Sequence, residues 1–380
     1  MRTALLALRS GAVVALFAIV LALVVDGAPT AATPKPATAS TATPKTTTTE
    51  HAKGTARAAA KVPPGVVTIA AVGDIVMGST PKLPPAGGRG FFDAVDTDLA
   101  ADVVLGNLEG TLTNATGSKC SAASTSCFAF RTPPSYVRNL KHAGFTVLNL
   151  ANNHAFDFGS AGLEDTVASL DGASLAHTGR PGEVAKQRAG KIRVAVLGFS
   201  TYPWSGSMND DEAVRKAVRD ADRQADVVVV MAHMGAEGTD HQHVRRGTET
   251  FLGENRGNPM RFARVAIDAG ADLVVGSGPH VLRGMEWYRG RLIAYSLGNF
   301  GGYKVFALGG PLSVSGILRV TLDGAGRFET GVLVPTRLVG DGVPALDPAE
   351  RAHGLVRTLS RNDFGARRVR VSPAGLLSRR

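Results

Sequence analysis

Short apolar runs that end in polar or charged residues recur along this 380-residue chain, and they constrain its fold more than any other feature. Runs rich in Val and Ile are typical of buried strands, and helical patterns separate them. Strands are predicted at Val66–Val72, Val103–Leu105, Phe145–Leu150, Ile192–Phe199, Val227–Met231, Leu273–Val275 and Leu292–Ser296. Helices are predicted at Pro134–Ala143, Gly162–Leu170, Asp211–Gln224 and Pro259–Ala269. This alternation favours an α/β fold with a largely parallel or mixed central sheet, followed from Ser313 by a hairpin around Asp323–Gly326.

Polar groups stand at the carboxyl ends of five of these strands. Open α/β sheets bind their ligands at such strand ends, so we expect the side chains to converge. Carboxylate, amide and imidazole groups together form a ligand set for one or two divalent ions. Each group alone also fits a capped turn or a helix start, and only the repetition after five strands favours a shared site. The residues are Asp74, Asn107, Glu109, Asn153, His154, Asp157, His233, Glu237 and His280.

The first 26 residues resemble an export segment. Arg2 and Arg9 precede the unbroken apolar run Gly11–Val25, which is the layout of a secretory signal. The run is shorter than the roughly 20 residues of a membrane span, and no convincing small-residue cleavage site follows it. Both a membrane anchor and a cleaved signal therefore stay open. Residues 27–64, rich in Thr, Ala and Pro, are expected to form a disordered linker, and the domain after them is expected to be extracytoplasmic.

The formal net charge of +10 is concentrated at the two ends of the chain. Residues 1–64 hold seven Lys and Arg against two acids, residues 351–380 hold eight Arg against one acid, and the remainder holds 27 against 29. The predicted domain at 65–340 is thus nearly neutral, and nothing supports a nucleic-acid partner. Residues 341–380 are expected to form a basic C-terminal tail that contacts anionic lipid or wall polymer.

The chain has two cysteines, Cys120 and Cys127, in a small polar loop. In an exported protein a pair this close favours a local disulfide. The alternative is a metal clip, but the loop has no second cysteine pair and no nearby histidine.

Five motifs, in order, resemble the bacterial capsule synthesis protein CapA family, the poly-γ-glutamate capsule proteins. They are "VGDIVMG", "GNLEGTLT", "LNLANNHAFDFG", "MAHMGAEG" and "GADLVVGSGPHVLRGMEWYRGRLIAYSLGNF". The likeness runs over roughly residues 67–339, and the ordered set is highly specific. The family is similar to the calcineurin-like metallophosphoesterases, which implies a two-sheet α/β sandwich with a dinuclear metal site.

The resemblance implies metal ligands at Asp74, Asn107, Glu109, Asn153, His233 and His280, with His154 as a general acid. Asp157 and Glu237 join His154 as candidate catalytic residues. Three parts of the site depart from the expected pattern. Val76 stands where a histidine is usual, and Asn107 stands where the bridging Asp is usual. Ser277 and Gly278 occupy the place where the family usually has a second histidine near His280. These losses imply at most one firmly bound ion, and the ligand types favour Zn²⁺, Mn²⁺ or Fe²⁺ over Ca²⁺.

Two functions follow from the resemblance. The first is a membrane-associated, extracytoplasmic component of synthesis or export of an anionic poly-γ-glutamate-type polymer, with that polymer, the membrane and a membrane ligase complex as partners. The alternative is a metal-dependent hydrolase that acts on a phosphoester or a γ-linked amide in the cell wall. The family name favours the first function, and the polar cluster keeps the second open.

Overall fold

The computed structural model describes residues 65–121, 124 and 127–379. The predicted export segment and the linker at 27–64 lie outside these residues. Across the described part of the chain, no helix has the length and apolar character that crossing a bilayer requires. The helices are α1 Asp96–Leu99, α2 Val137–His142, α3 Gly159–Gly172, α4 Asp211–Asp222, α5 Pro259–Ala269 and α6 Arg351–Phe364. The strands are β1 Val66–Val76, β2 Val103–Leu108, β3 Thr111–Leu112, β4 Arg131–Thr132, β5 Val147–Asn149, β6 Ala176–Thr178, β7 Ala185–Ala189, β8 Ile192–Phe199, β9 Val227–His233, β10 Thr250–Phe251, β11 Glu254–Asn255, β12 Leu273–Ser277, β13 Met285–Tyr288, β14 Arg291–Ala294, β15 Asn299–Gly302, β16 Val314–Asp323, β17 Phe328–Val339, β18 Val343–Leu346, β19 Arg370–Val371 and β20 Leu377–Ser378.

Two mixed sheets pack face to face in the described residues. The first has the order β18-β17-β16-β1-β2-β5-β6, with β15 also paired to β1, and the second has the order β13-β14-β12-β9-β8-β7. Alternate residues of β9 explain the layers. Val227, Val229 and Met231 face the core between the sheets, whereas Val228 and Val230 face α4 and α5. A strand buried on both faces must be apolar throughout, which accounts for the continuous Val runs.

The parallel strands of both sheets carry the polar residues to one edge of the sandwich. In the first sheet β1, β2 and β5 run parallel, and Asp74 pairs with Asn107. In the second sheet β9 and β12 run parallel, and His233 pairs with Ser277. The Gly278 N–H donates to Asp74 Oδ2 at 3.1 Å, which joins the strand ends of the two sheets. The predicted two-sheet α/β sandwich is therefore the fold of the described residues.

Gly278 shows why the chain bends sharply where the sheets meet. Its φ is +106°, in the left-handed region that favours glycine, and a Cβ there would lie 3.0 Å from the ring of His233. A side chain at this position would push His233 away from the strand ends, so the turn between β12 and His280 needs a glycine.

The last forty residues differ from the expected tail. Residues 341–380 contain β18, α6 and the β19–β20 pair, and Ala352, Val356 and Val371 belong to the core between the sheets. The arginines mislead because they alternate with apolar residues on an amphipathic helix, so counting charge hides the buried stripe. The segment is an integral part of the domain, and its basic residues lie on the outer face of a packed element.

Replacing Phe364 in α6 by alanine is expected to lower the free energy of unfolding by about 3–5 kcal/mol. Its ring is 4% exposed and stacks on Tyr295, with ring centroids 5.1 Å apart. The measurement is urea unfolding of the full-length chain. Phe128→Ala, at a side chain that is 63% exposed, is the matched control and should change little. Equal stability of both variants would mean that the segment is a separable tail after all.

Candidate functional site

A buried carboxylate lies at the centre of the cluster. Glu109 is fully buried, and neither of its side-chain oxygens has a hydrogen-bond partner. Its Oε1 lies 3.6 Å from His280 Nε2, 3.8 Å from His233 Nε2 and 4.0 Å from His154 Nε2. Burial raises the pKa of Glu109 well above its usual value, although the charge on His280 acts against this. Burying a carboxylate without hydrogen-bond partners is costly, and a cation bound to its oxygens would offset that cost.

Asp74 and His280 lie beside Glu109. His280 Nδ1 is 3.2 Å from Asp74 Oδ2 and 2.9 Å from Asn299 Oδ1, which leaves Nε2 directed at Glu109. Burial alone would raise the pKa of Asp74, but hydrogen bonds from His233 and His280 hold it well below its usual value. Burial would lower the pKa of His280, yet the charges of Glu109 and Asp74 raise it to about 10. The imidazole is therefore held as a cation between two carboxylates.

Three of these side chains fit one divalent metal ion. One ligand atom from each of Asp74, Glu109 and His280 lies within 4.8 Å of the other two. The unpartnered oxygens of Glu109 are what a missing cation would leave behind, and Asn153 Oδ1 is a further buried oxygen without a partner. Two carboxylates with an imidazole suit Zn²⁺, Mn²⁺ or Fe²⁺. Of the six expected ligands, Asp74, Glu109 and His280 have the geometry for that role.

Asn107 is placed differently from the expected ligand. Its Oδ1 accepts from Asn149 Nδ2 at 2.8 Å and from Asn152 Nδ2 at 3.1 Å. Its Nδ2 donates to Asp74 Oδ1 at 2.8 Å. The opposite amide orientation would set donors against donors, so the network fixes the orientation. Asn107 therefore positions Asp74 and offers no free oxygen to an ion.

His233 also differs from the expected ligand, because its Nε2 is already bonded. Arg256 Nη2 lies 3.1 Å from that nitrogen, and an arginine only donates, so the imidazole accepts. Burial and the neighbouring Arg256 charge lower the pKa of His233 to about 4, and the ring is neutral. The lone pair that a metal would need is used by the guanidinium.

His154 and Asp157 form a buried pair beside this cluster. His154 Nδ1 lies 2.7 Å from Asp157 Oδ2, so Nδ1 carries the proton and Nε2 faces Glu109. Burial lowers the pKa of His154 despite the charge of Asp157. Asp157 is also held by the Phe130 N–H at 2.6 Å and by Lys119 Nζ at 2.6 Å. Asp157, expected as catalytic, thus orients His154 and does not itself face the cluster.

A disulfide lies in the loop that carries Lys119. Cys120 and Cys127 are bonded, with their Cα atoms 5.6 Å apart, as the sequence predicts. Lys119 also donates from its backbone N–H to the Asp157 carbonyl at 2.8 Å and from Nζ to the Asn153 carbonyl at 3.2 Å. Lys119, directly before the disulfide-bonded Cys120, therefore ties Asp157 and Asn153 together.

Glu237 and Arg256 complete the cluster. Glu237 Oε2 lies 3.7 Å from His280 Nε2, and its Oε1 accepts from Arg256 Nη1 at 2.6 Å. Burial would raise the pKa of Glu237, but the charges of His280 and Arg256 lower it. Sequence reasoning missed Arg256 because it lies in the polar stretch "GENRG", far from any strand-end motif. Only the fold shows that this arginine is 1% exposed.

A stack of aromatic rings lies next to the cluster and was also missed. Trp204 lies between Phe156 and Tyr202, with ring centroids 5.1 Å and 5.3 Å away. Trp204 Nε1 donates to the Asn152 carbonyl at 2.9 Å, and Arg256 Nη1 donates to the Tyr202 hydroxyl at 3.1 Å. The partly exposed rings thus brace the loop that carries Asn153 and His154.

Comparison with known proteins gives this site a family context. The model of the family described as "Bacterial capsule synthesis protein PGA_cap" matches residues 68–303. The chain is 32% identical over 287 residues to the PGA biosynthesis protein CapA of Bacillus subtilis, a match that covers 70% of each chain. It is 36% identical over 187 residues to the capsule biosynthesis protein CapA of Bacillus anthracis, of which the match covers 42%. Among solved structures, a putative 5'-nucleotidase from Staphylococcus aureus is similar over 78% of this chain and 58% of its own, with a TM-score of 0.42 and 14% identity.

The family match covers more than half of the sequence and includes all nine residues expected at the site. The resemblance read from the five motifs is confirmed. The chain belongs to the bacterial capsule synthesis protein family PGA_cap.

Proposed function

We propose that this protein is an extracytoplasmic accessory protein for the synthesis or export of a poly-γ-glutamate-type polymer, and that it works through a cleft that binds one metal ion. The observation that carries the cleft is Glu109, a fully buried carboxylate without hydrogen-bond partners among three imidazoles. The type of polymer is inferred from the names of the relatives. One is named for PGA biosynthesis, and another, from Mycobacterium tuberculosis, is named a probable polyglutamine synthesis accessory protein and is 32% identical over 233 residues.

Asp74, Glu109 and His280 would hold the ion, with Asn153 as a further oxygen donor. A bound divalent ion would supply Lewis acidity and draw a carboxylate or phosphoryl oxygen into the cleft. The chain's own residues set the protons around that position. His154 presents Nε2 to it, Asp157 fixes the tautomer of His154, and Asn107 holds Asp74 in place.

The location outside the cytoplasm is part of the proposal. The bonded Cys120 and Cys127 support it, because such disulfides persist in oxidising compartments. The basic, apolar first 26 residues support it as well. In that location the protein would contact the anionic polymer, the membrane surface and a membrane ligase complex.

Replacing Glu109 by glutamine tests this function. The change keeps the shape of the side chain and removes the charge that a cation needs, so surface polymer is expected to fall to the level of a strain without the gene. The measurement is polymer released from a host strain in which the variant replaces the native gene. Glu164→Gln, at an exposed position of α3, is the matched control and should give wild-type polymer. Wild-type polymer from Glu109→Gln cells, at equal protein level, would overturn the proposal.

A second candidate is metal-dependent hydrolysis of a phosphoester or a γ-linked amide. The His154–Asp157 pair favours it, since an imidazole whose Nδ1 proton is held by a carboxylate directs its free Nε2 into the cleft as a proton acceptor, which suits general base catalysis. A protein that only binds polymer needs no such pair.

A further inference from the structure

We propose that the Arg256 guanidinium is a built-in cation that fills a second cation position in the cleft, and that removing it opens a second metal site. The inference rests on the proposed metal cleft and adds the number of ions that the cleft accepts. It assigns Arg256 a positioning role and gives His233 and Glu237 a shared partner other than a metal.

The guanidinium is entirely used by the protein. Nε donates to the Gly235 carbonyl at 3.1 Å, and Nη1 donates to Glu237 Oε1 at 2.6 Å and to the Tyr202 hydroxyl at 3.1 Å. Nη2 donates to His233 Nε2 at 3.1 Å and to the Gly278 carbonyl at 3.4 Å. An arginine has five N–H donors, so none is left for a bound anion. Arg256 therefore acts as a fixed positive charge and has no N–H group free to bind a substrate.

The groups around Arg256 are of types that also serve as metal ligands. They comprise an imidazole nitrogen of His233, a carboxylate oxygen of Glu237, a phenol oxygen of Tyr202 and the carbonyl oxygen of Gly278. Imidazole and carboxylate are ligands for Zn²⁺ and Mn²⁺. The guanidinium holds the same atoms at hydrogen-bond distance, so a metal ion and Arg256 cannot occupy this position together.

The charge of the cleft agrees with a single exchangeable ion. The carboxyl groups of Asp74, Glu109 and Glu237 each lie within 4 Å of His280, and Arg256 supplies a cation that stays protonated at every physiological pH. A fourth carboxylate oxygen, Glu254 Oε2, lies 3.9 Å from Arg256 Nη1. With Arg256 in place, the charge left to balance lies on the side of Asp74 and Glu109.

The backbone delivers Arg256 from a fixed position. Its N–H donates to the Glu249 carbonyl at 2.9 Å, and its carbonyl accepts from the Gly235 N–H at 2.8 Å. The residue follows directly after β11 and is tied to the loop after β9, so the position of its backbone does not depend on a ligand.

The test counts metal ions in the full-length protein. Wild-type protein and Arg256→Met are stripped with a chelator, dialysed against Mn²⁺ and analysed for bound metal per chain. Wild type is expected to hold one equivalent and Arg256→Met two, because the methionine leaves His233 and Glu237 free. Arg256→Lys, which keeps a cation, should stay at one. Two equivalents in wild type, or one in a folded Arg256→Met variant, would overturn the inference.

His233→Ala keeps the test decisive should Arg256→Met fail to fold. Since Arg256 already uses His233 Nε2, the single equivalent should remain in His233→Ala, weakened by about 10–100-fold as for a residue outside the ligand shell. Complete loss of the equivalent would make His233 a ligand and overturn the inference. If wild type binds no metal at all, the proposed metal cleft fails first, and this inference fails with it.

Discussion

Replacing His280 by alanine is expected to remove the bound metal ion, with affinity for Mn²⁺ or Zn²⁺ lowered on the order of 100-fold or more. His280 supplies the imidazole of the three-residue group with Asp74 and Glu109. Its removal also leaves Glu109 without the nearest positive charge, since the two side chains lie 3.6 Å apart. The measurement is a competition titration of full-length protein against a chelator of known affinity.

The wild-type affinity should also depend on pH, in a direction that the imidazole sets. Because the pKa of His280 is raised to about 10, the ring is protonated at neutral pH and a metal ion must displace that proton. Apparent affinity should therefore rise with pH through the neutral range, and His280→Ala should lose this part of the slope. His142→Ala, at a side chain 76% exposed at the end of α2, is the control. Tight binding by His280→Ala with an unchanged slope would contradict the assignment.

Replacing His154 by alanine is expected to lower hydrolysis by about 10²–10⁴-fold, while the metal stays bound. The ring presents Nε2 to the cluster at 4.0 Å from Glu109 Oε1, and Asp157 holds its other nitrogen. Initial rates on phosphoesters and on poly-γ-glutamate, with metal content measured on the same samples, provide the test.

Asp157→Asn is the matched partner of that variant. An amide there no longer fixes the Nδ1 proton, so activity should fall although the side chain keeps its size. Loss of activity in both variants with retained metal would favour the hydrolase. Detectable wild-type hydrolysis that persists in both variants would remove His154 from the mechanism. Polymer binding unchanged by either variant, together with no hydrolysis by wild type, would favour the accessory protein.

Much of the fold follows from the sequence because its central strands are buried on both faces. The run at 227–231 is buried throughout and the run at 192–199 is buried except at Arg193, so their apolar composition marks them as strands. Strands and helices at the edge of the domain have a solvent-exposed face and therefore lack a continuous apolar run. The strand Ala185–Ala189 reads "AKQRA", and its exposed Lys and Arg hide its pairing with β8. The helix Arg351–Phe364 was hidden in the same way, by arginines on its solvent face.

The sequence predicts which residues lie in the site better than it predicts what each of them does there. Asp74, Glu109 and His280 follow strand ends, and parallel sheets bring such ends together. Which atom of each side chain is free depends on neighbours from distant parts of the chain. Asn107 is turned by Asn149 and Asn152, and His233 is bonded by Arg256, which no strand-end motif contains. Sequence spacing cannot show these partners, because they meet only after the two sheets have packed.

Anomalous diffraction from crystals of the Zn²⁺-loaded protein, collected on both sides of the zinc absorption edge, would locate the metal ion in the cleft directly. We expect one peak per molecule, at about 2.0–2.3 Å from ligand atoms of Asp74, Glu109 and His280. Two peaks in the cleft, a single peak bonded to His233 in place of His280, or no peak at saturating Zn²⁺ would contradict this assignment.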